Sequence, residues 1–330
     1  MVSKFSDRVI SWQKAEGRQN LPWQLTRDPY LRWVAEIMLQ QTQVTTVIPY
    51  YEKFSQKFPT VSSLASADED EVLALWSGLG YYRRAVYLHK GAQEIVERFG
   101  GKVPMNVEEL SSICGIGRST AGAVISACTG RPEAILDGNV KRVLSRYFAA
   151  KEIYGTPAFD KLLWLKAQEL LPKTEGDIYS QGMMDLGSMI CLRNDPLCLH
   201  CPVNDTCQGL HEGEPGVYPI RVAKKAKPLR ELYMQLWIKD GRVFLEKRPK
   251  EGVWGGLWSL PECDSLLPGS EPLTPFKHVF THFILTARPI LCQGEPQDLS
   301  RGAYFSEEDL EDLALPSPVR KFLSGSGLLG

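Results

Sequence analysis

The chain has 330 residues, 43% of them apolar and 23% charged, a composition that excludes a disordered chain, a collagen-like repeat and a small disulfide-stapled scaffold as the main state. Its formal net charge of -1 counts against a nucleic-acid binder, whose usual footprint is basic. No apolar run reaches the roughly 18 to 20 residues of a membrane span, and the N-terminal segment lacks a signal-peptide pattern, so a cytoplasmic protein of two or three domains is expected.

Up to His211 the pattern predicts helices almost throughout. After Asp28 and Pro29, a capping residue followed by a helix-tolerated proline, Tyr30, Trp33, Val34, Ile37 and Met38 recur at the spacing of one buried helix face. Residues 75–80 read as a turn, 81–99 as a long helix stopped by Gly100 and Gly101, and 118–128 and 138–148 as two shorter helices. From 212 to 228 the chain turns to Gly, Pro and a Lys cluster (Lys224, Lys225, Lys227), which reads as a linker. Beyond it, 233–238 and 243–248 are strand-like runs flanking Asp240-Gly241, a two-residue hairpin signal, and 279–287 is a further strand. The expected organisation is a mostly α region over 1–211, a linker over 212–228 and an α/β or α+β domain over 229–330. Residues 1–227 sum to +2 and residues 228–330 to -3. Any DNA footprint must therefore be local, with Arg83, Arg84, Arg118, Lys141 and Arg142 as candidates.

Three constellations carry chemistry. Cys191, Cys198, Cys201 and Cys207 are spaced C-x6-C-x2-C-x5-C; a reducing compartment disfavours disulfides, and four thiolates in one short loop suit a [4Fe-4S] cluster or a structural zinc. The x6 and x5 gaps do not match paired zinc knuckles, which together with the resemblance given below favours the cluster. Gly115-Ile116-Gly117 then Arg118-Ser119-Thr120 places a tight turn before a helix start, whose free amides and positive dipole end make an anion site. It resembles a helix-hairpin-helix motif, which grips a DNA backbone without reading sequence. Glu36 lies off its apolar stripe and shares a face with Gln40 and Gln43, while Asp137 opens the 138–148 helix. An N-glycosidic bond breaks through an oxocarbenium-like sugar, so one carboxyl must deliver a proton and another must stay negative. Glu36 suits the first role if burial raises its pKa, and Asp137, at a helix start, suits the second.

Together, Leu21-Pro22-Trp23, Glu36 with Met38 to Gln43, Gly78 to Tyr82, Gly115 to Gly122, Leu136 to Val140 and the cysteine quartet resemble the MutY-type adenine DNA glycosylases of the endonuclease III superfamily. The resemblance implies double-stranded DNA as partner and excision of flipped adenine opposite 8-oxoguanine or guanine, by a protein expected to be a monomer. It assigns the proton donor to Glu36 and the sugar-cation stabiliser to Asp137, and it confers DNA or substrate contacts on Gln40, Gln41, Tyr81, Gly115, Gly117, Ser119, Asn139 and Lys141. Bifunctional members carry a Lys early in the helix after the hairpin; Ser119 stands there instead, which implies a monofunctional enzyme rather than an endonuclease III-like glycosylase/lyase. Lys141, four residues after Asp137, is expected to pair with it. The tail resembles the family's Nudix-like domain, which recognises 8-oxoguanine, and lacks the acidic helix of active Nudix hydrolases. The family's Phe-Ser-His contact appears as Phe280-Thr281-His282, with Thr281 and His282 as recognition residues. Cys114 replaces the hairpin's usual Pro.

Overall fold

A computed structural model describes residues 4–223 and 226–327. The chain divides into two compact units, one of Met1–Ser66 and Tyr87–Ala223 and one of Ala67–Val86 and Lys224–Gly330. No composition shift in the sequence announces that residues 67–86 group with the tail.

The first unit is helical. Helix Pro29–Leu39 starts where the sequence places it: Asp28 accepts from Tyr30 N at 2.8 Å and Leu31 N at 3.3 Å, and Pro29 occupies the first turn, where no amide partner is needed. Its predicted apolar face is buried, with Trp33, Val34 and Met38 fully enclosed. Helices Val44–Lys57 and Arg118–Thr129 pack against it, and Trp23 meets Tyr51 edge-on. A second apolar centre joins helices Phe5–Glu16, Gly138–Tyr147, Pro157–Glu169 and Gly176–Asp185 through Val9, Val140, Leu144, Phe159, Leu163 and Met183. Helix Gly176–Asp185 runs on into a π-helical turn, Leu186–Ile190, that delivers the chain to Cys191. Such turns cluster at functional positions.

The second unit is built on eight strands: β1 Leu229–Lys239, β2 Arg242–Lys247, β3 Trp258–Ser259, β4 Glu262–Cys263, β5 Glu271–Pro272, β6 Phe276–Val279, β7 Ile284–Cys292 and β8 Gly302–Phe305. The sheet order is β3-β2-β1-β7-β5, with β4 on β1, β6 on β7 and β8 on β2. β1 and β2 form the expected antiparallel hairpin, and Asp240 and Gly241 take φ of +50° and +72°, as a type I′ turn requires. β1 and β7 run parallel from Leu229↔Ile284 to Trp237↔Cys292. The single strand expected over 279–287 is instead the end of β6 and the start of β7. Phe280 N donates to Phe283 O at 2.9 Å and the two rings stack at 4.7 Å, which closes a turn between them. Helix Glu69–Leu75 belongs to this unit: Asp70 pairs with Lys247 at 2.5 Å, and Tyr82 Oη donates to Leu315 O at 2.8 Å. Lys224 and Lys225 lie outside the described residues, while Lys227 Nζ donates to Phe280 O at 2.6 Å. Among the described residues no helix is long and apolar enough to cross a membrane.

Asp28→Ala removes the two amide bonds that start the Glu36 helix and is expected to destabilise the protein by about 1 kcal/mol. Urea unfolding followed by tryptophan fluorescence measures it, and an unchanged midpoint would mean that Pro29 alone fixes the helix start.

Candidate active site

Glu36 stands on the last turn but one of helix Pro29–Leu39 and is half-buried. Burial pushes its carboxyl up to about 7, Arg32 opposes the rise and Asp137 adds to it. No protein donor reaches the Glu36 carboxyl among the described residues, so the proton that burial favours is held only by the absence of solvation. Asp137 caps helix Gly138–Tyr147, with Oδ1 accepting from Val140 N at 2.8 Å. Burial pushes this carboxyl up as well, against the pull of the Val140 amide, Arg142 and the Asn139 amide. The helix-start effect expected from the sequence is therefore present but outweighed. The two carboxyls share one desolvated site and hinder each other's ionisation; each feels a cation, Arg32 at Glu36 and Arg142 at Asp137, but only Asp137 also has amides to favour its charged form.

The helix ends at Leu39, so Gln40 is its C-cap and Gln43 caps the next helix; the continuous strip expected from Glu36 to Gln43 stops at Gln40. Gln40 and Gln41 are exposed, and Gln41 takes a left-handed φ of +57°. In the hairpin, Gly115 has φ +79°, and a Cβ there would stand 2.7 Å from Tyr87 Cβ, so the turn admits only glycine. Gly117 caps helix Arg118–Thr129 with open space before it, the arrangement that leaves first-turn amides available to an anion. Cys114 N is fixed by Glu94 Oε2 at 3.0 Å, so a side-chain bond restrains the loop where a proline is usual.

Ser119 Oγ accepts from Leu136 N at 2.9 Å, tying the hairpin helix to the residue before Asp137. Lys141 does not pair with Asp137: its Nζ meets Asp160 at 2.6 Å, from helix Pro157–Glu169. Arg142 is also unavailable to phosphate, since it donates to Cys191 O at 2.7 Å, Asn139 Oδ1 at 2.9 Å and Gly187 O at 2.5 Å. Arg84 is buried and donates to Gly80 O at 3.0 Å. Arg118 stays exposed, with its guanidinium 4.1 Å from the Trp164 ring centre.

The cysteine loop is anchored from the same helix that carries Asp137. Arg146, 2% exposed, donates to Cys191 Sγ at 3.4 Å, Leu192 O at 2.5 Å, Arg193 O at 3.0 Å and Tyr218 O at 3.1 Å. The thiols of Cys191, Cys198, Cys201 and Cys207 are within electrostatic reach of one another, and burial pushes Cys201 up to about 12. Four part-buried free thiols beside a buried guanidinium form a donor set that fits an iron-sulfur cluster. Among the described residues no three His, Cys, Asp or Glu side chains stand close enough to hold a single ion. Sequence reasoning passed over Arg32 and Arg146; a charged residue one turn from Glu36, or four from Arg142, was the available signal.

In the second unit, Tyr81 is 52% exposed with φ +50°, and its ring lies 5.5 Å from the Arg84 guanidinium. Thr281 and His282 are exposed at the tip of the β6-β7 turn. Beneath them Phe280 contacts Phe283, His278 at 4.5 Å and Trp254 at 5.5 Å, so a rigid aromatic base presents two polar side chains.

Residues 34–169 match the HhH-GPD superfamily of base excision DNA repair proteins, and residues 232–325 match the NUDIX domain. The chain is 34% identical over 337 residues to the adenine DNA glycosylase of Buchnera aphidicola subsp. Acyrthosiphon pisum (strain APS), covering 97% of this chain and 96% of that one. Among solved structures it is similar to a thermostable thymine-DNA glycosylase, at 27% identity and a TM-score of 0.57 over 63% of this chain and 95% of the other. It shares its fold with a trapped endonuclease III-DNA covalent intermediate, at 23% identity and a TM-score of 0.53 over 63% of this chain and 94% of the other. A relative matched from end to end, a helix-hairpin-helix region and a Nudix-like domain place this chain in the adenine DNA glycosylases, the MutY-type N-glycosylases of base-excision repair.

Proposed function

We propose that the enzyme is monofunctional and removes adenine opposite 8-oxoguanine or guanine in duplex DNA by hydrolysis, with Glu36 and Asp137 as its acid and its anion. The observation that carries this reading is the unequal environment of the two carboxyls: Glu36 near 7 without a protein donor, Asp137 capped by the Val140 amide. Glu36 gives its proton to a ring nitrogen of the extruded adenine as the bond from C1′ to the base breaks and its electron pair leaves with the base. Asp137 keeps the negative charge that stabilises the sugar cation. The oxygen of a water molecule then bonds to C1′ and releases its proton. Ser119 offers a hydroxyl already engaged with Leu136 N and no amine, so Schiff-base formation with the sugar has no nucleophile at that place.

On the same reading, the Gly115 and Gly117 turn holds a phosphate, Gln40, Gln41 and Tyr81 contact the opened stack, and Asn139 helps set the sugar. Lys141 acts through its Asp160 pair rather than as a direct phosphate contact. Thr281 and His282 contact the 8-oxoguanine, the Thr281 hydroxyl retaining a hydrogen-bonding group. Cys191, Cys198, Cys201 and Cys207 would hold a [4Fe-4S] cluster, zinc being the alternative. Bound there, the cluster would supply a cross-link within the loop, whose Cys191 end the Gly138–Tyr147 helix holds through Arg142 and Arg146. The working form is taken to be a cytoplasmic monomer.

On an 8-oxoguanine:adenine duplex, strand breakage is expected only after alkali, and Glu36→Gln and Asp137→Asn should each lower the single-turnover rate by about 100-fold or more while mismatch binding persists. Breakage without alkali would point to a lyase, and unchanged rates in either variant would remove the assignment. Since the protonated form of Glu36 is the active one, the rate should fall about tenfold per pH unit above a midpoint near 7. A flat profile from pH 6 to pH 9 would contradict the proton-donor role. Thr281→Ala should cost more on the 8-oxoguanine duplex than on the guanine duplex, and equal losses would deny it a recognition role. A broad brownish absorption band in the purified protein separates the cluster from zinc.

A further inference from the structure

Arg32 has a buried charge without an obvious counter-charge. It is 6% exposed in the middle of helix Pro29–Leu39. One terminal nitrogen donates to Trp23 O at 2.8 Å, and Nε has no hydrogen-bond partner. A guanidinium withdrawn from water is costly unless something negative faces it. The side chain also forms part of the wall of a cavity of about 280 Å3, beside the neutral Gln13, Gln24 and Gln181 and the charged Lys14, Arg18, Arg27 and Asp177; these charges are already matched, Lys14 with Glu175, Arg18 with Asp185 and Arg27 with Asp177. Four residues on, one helical turn away and on the same face, stands Glu36.

We infer that Arg32 is a positioning residue for the proton on Glu36, its buried and otherwise unpaired guanidinium keeping that carboxyl a good enough acid to release the proton to the base. This rests on the proposed role of Glu36 as proton donor. The surroundings leave little else to do it. From helix Arg118–Thr129, Cys128 faces the pair, and burial pushes its thiol up to about 11. From helix Val44–Lys57, Tyr51 faces Arg32 and is pushed up to about 12. Both are neutral near pH 7 and contribute no field of their own. Arg27 and Asp28, of opposite sign, also act on Cys128, and Asp28 is held by the Tyr30 and Leu31 amides. From the start of helix Gly138–Tyr147, Asp137 raises Glu36, as burial does. Arg32 is thus the cation set against both. Without it the carboxyl would bind its proton too tightly to serve as an acid near neutral pH, where donation is most effective when the donor titrates close to the working pH.

The test is the pH dependence of single-turnover excision by the full chain. Arg32→Gln and Arg32→Met remove the charge, the first keeping a donor for Trp23 O and the second an apolar stem of similar length. The midpoint of the alkaline limb should move up by about half a unit or more, so that the rate at pH 8 relative to the plateau rises about threefold. Arg32→Lys retains a cation and should keep the midpoint near that of the parent. A folded neutral variant with an unmoved midpoint overturns the inference, as does a Lys variant whose midpoint moves as far as the neutral ones. If both neutral variants fail to fold in thermal melts, the Lys variant decides alone: retained midpoint for, shifted midpoint against. Glu36→Gln separates the two levels. If it stays active, the donor assignment itself fails; if it is inactive while the Arg32 variants leave the limb in place, only the role of Arg32 fails.

Discussion

The proposed chemistry depends on two carboxyls being desolvated together while only one of them accepts a protein hydrogen bond. Burial alone raises both, and mutual repulsion ensures that the site carries one proton more readily than none. What assigns that proton is geometry. Asp137 accepts the Val140 amide and feels Arg142, so ionisation costs less there. Glu36 has no donor, so its neutral form is the cheaper one. In the proposed mechanism an acid and an anion are thus obtained from two chemically similar groups by placing one at a helix start and the other on a helix side.

The helix Gly138–Tyr147 makes that placement rigid. Its first turn is capped by Asp137, and Arg142 and Arg146, four apart on one face, hold Cys191 by its carbonyl and its sulfur. Gly187 lies against Asn139, where a Cβ would stand 2.6 Å from Asn139 Cβ, so the π-helical turn and the helix capped by Asp137 are in direct contact. Ser119 fixes the residue before Asp137 from the hairpin side. Three elements, the hairpin, the helix capped by Asp137 and the cysteine loop, therefore meet on a segment of about a dozen residues. A displacement of any one of them is felt at the Asp137 carboxyl.

What could be read in the sequence was what local rules decide. Asp28 with Pro29, Asp137 with Gly138 and Asp240 with Gly241 announce their helix starts and hairpin because caps and turns are made by neighbouring residues. The placement of Glu36 on the side of its helix and of Asp137 at the start of the next was legible because their spacing from those caps is fixed. What escaped depends on partners distant in the chain. Lys141 finds Asp160, nineteen residues on, instead of Asp137. Arg84 and Arg142, plausible as surface cations, are spent on backbone carbonyls. The β6-β7 turn hides in an apolar run because a stacked Phe280 and Phe283 close it rather than Gly or Asn. Burial of a charged side chain such as Arg32 leaves no mark in composition at all.

The small net charge takes on a definite meaning in this setting. With Arg84, Lys141 and Arg142 internally engaged, three of the five cations singled out in the sequence are not available to neutralise phosphates. The contacts proposed above draw instead on uncharged elements: helix-start amides at Gly117, and side chains on strained backbone. Gln41 and Tyr81 are exposed residues held at φ of +57° and +50°, a conformation that costs roughly 1 to 2 kcal/mol for a side chain with a Cβ. Such strain persists at exposed positions only when the surrounding turn imposes it. For Tyr81, the turn is closed by Trp76 Nε1 and Arg84, both bonded to Gly80 O. Arg84 is thus buried in the turn that holds the Tyr81 ring out, its guanidinium bonded to Gly80 O and 5.5 Å from that ring, and the contact proposed for Tyr81 is made by a side chain whose backbone is fixed beforehand.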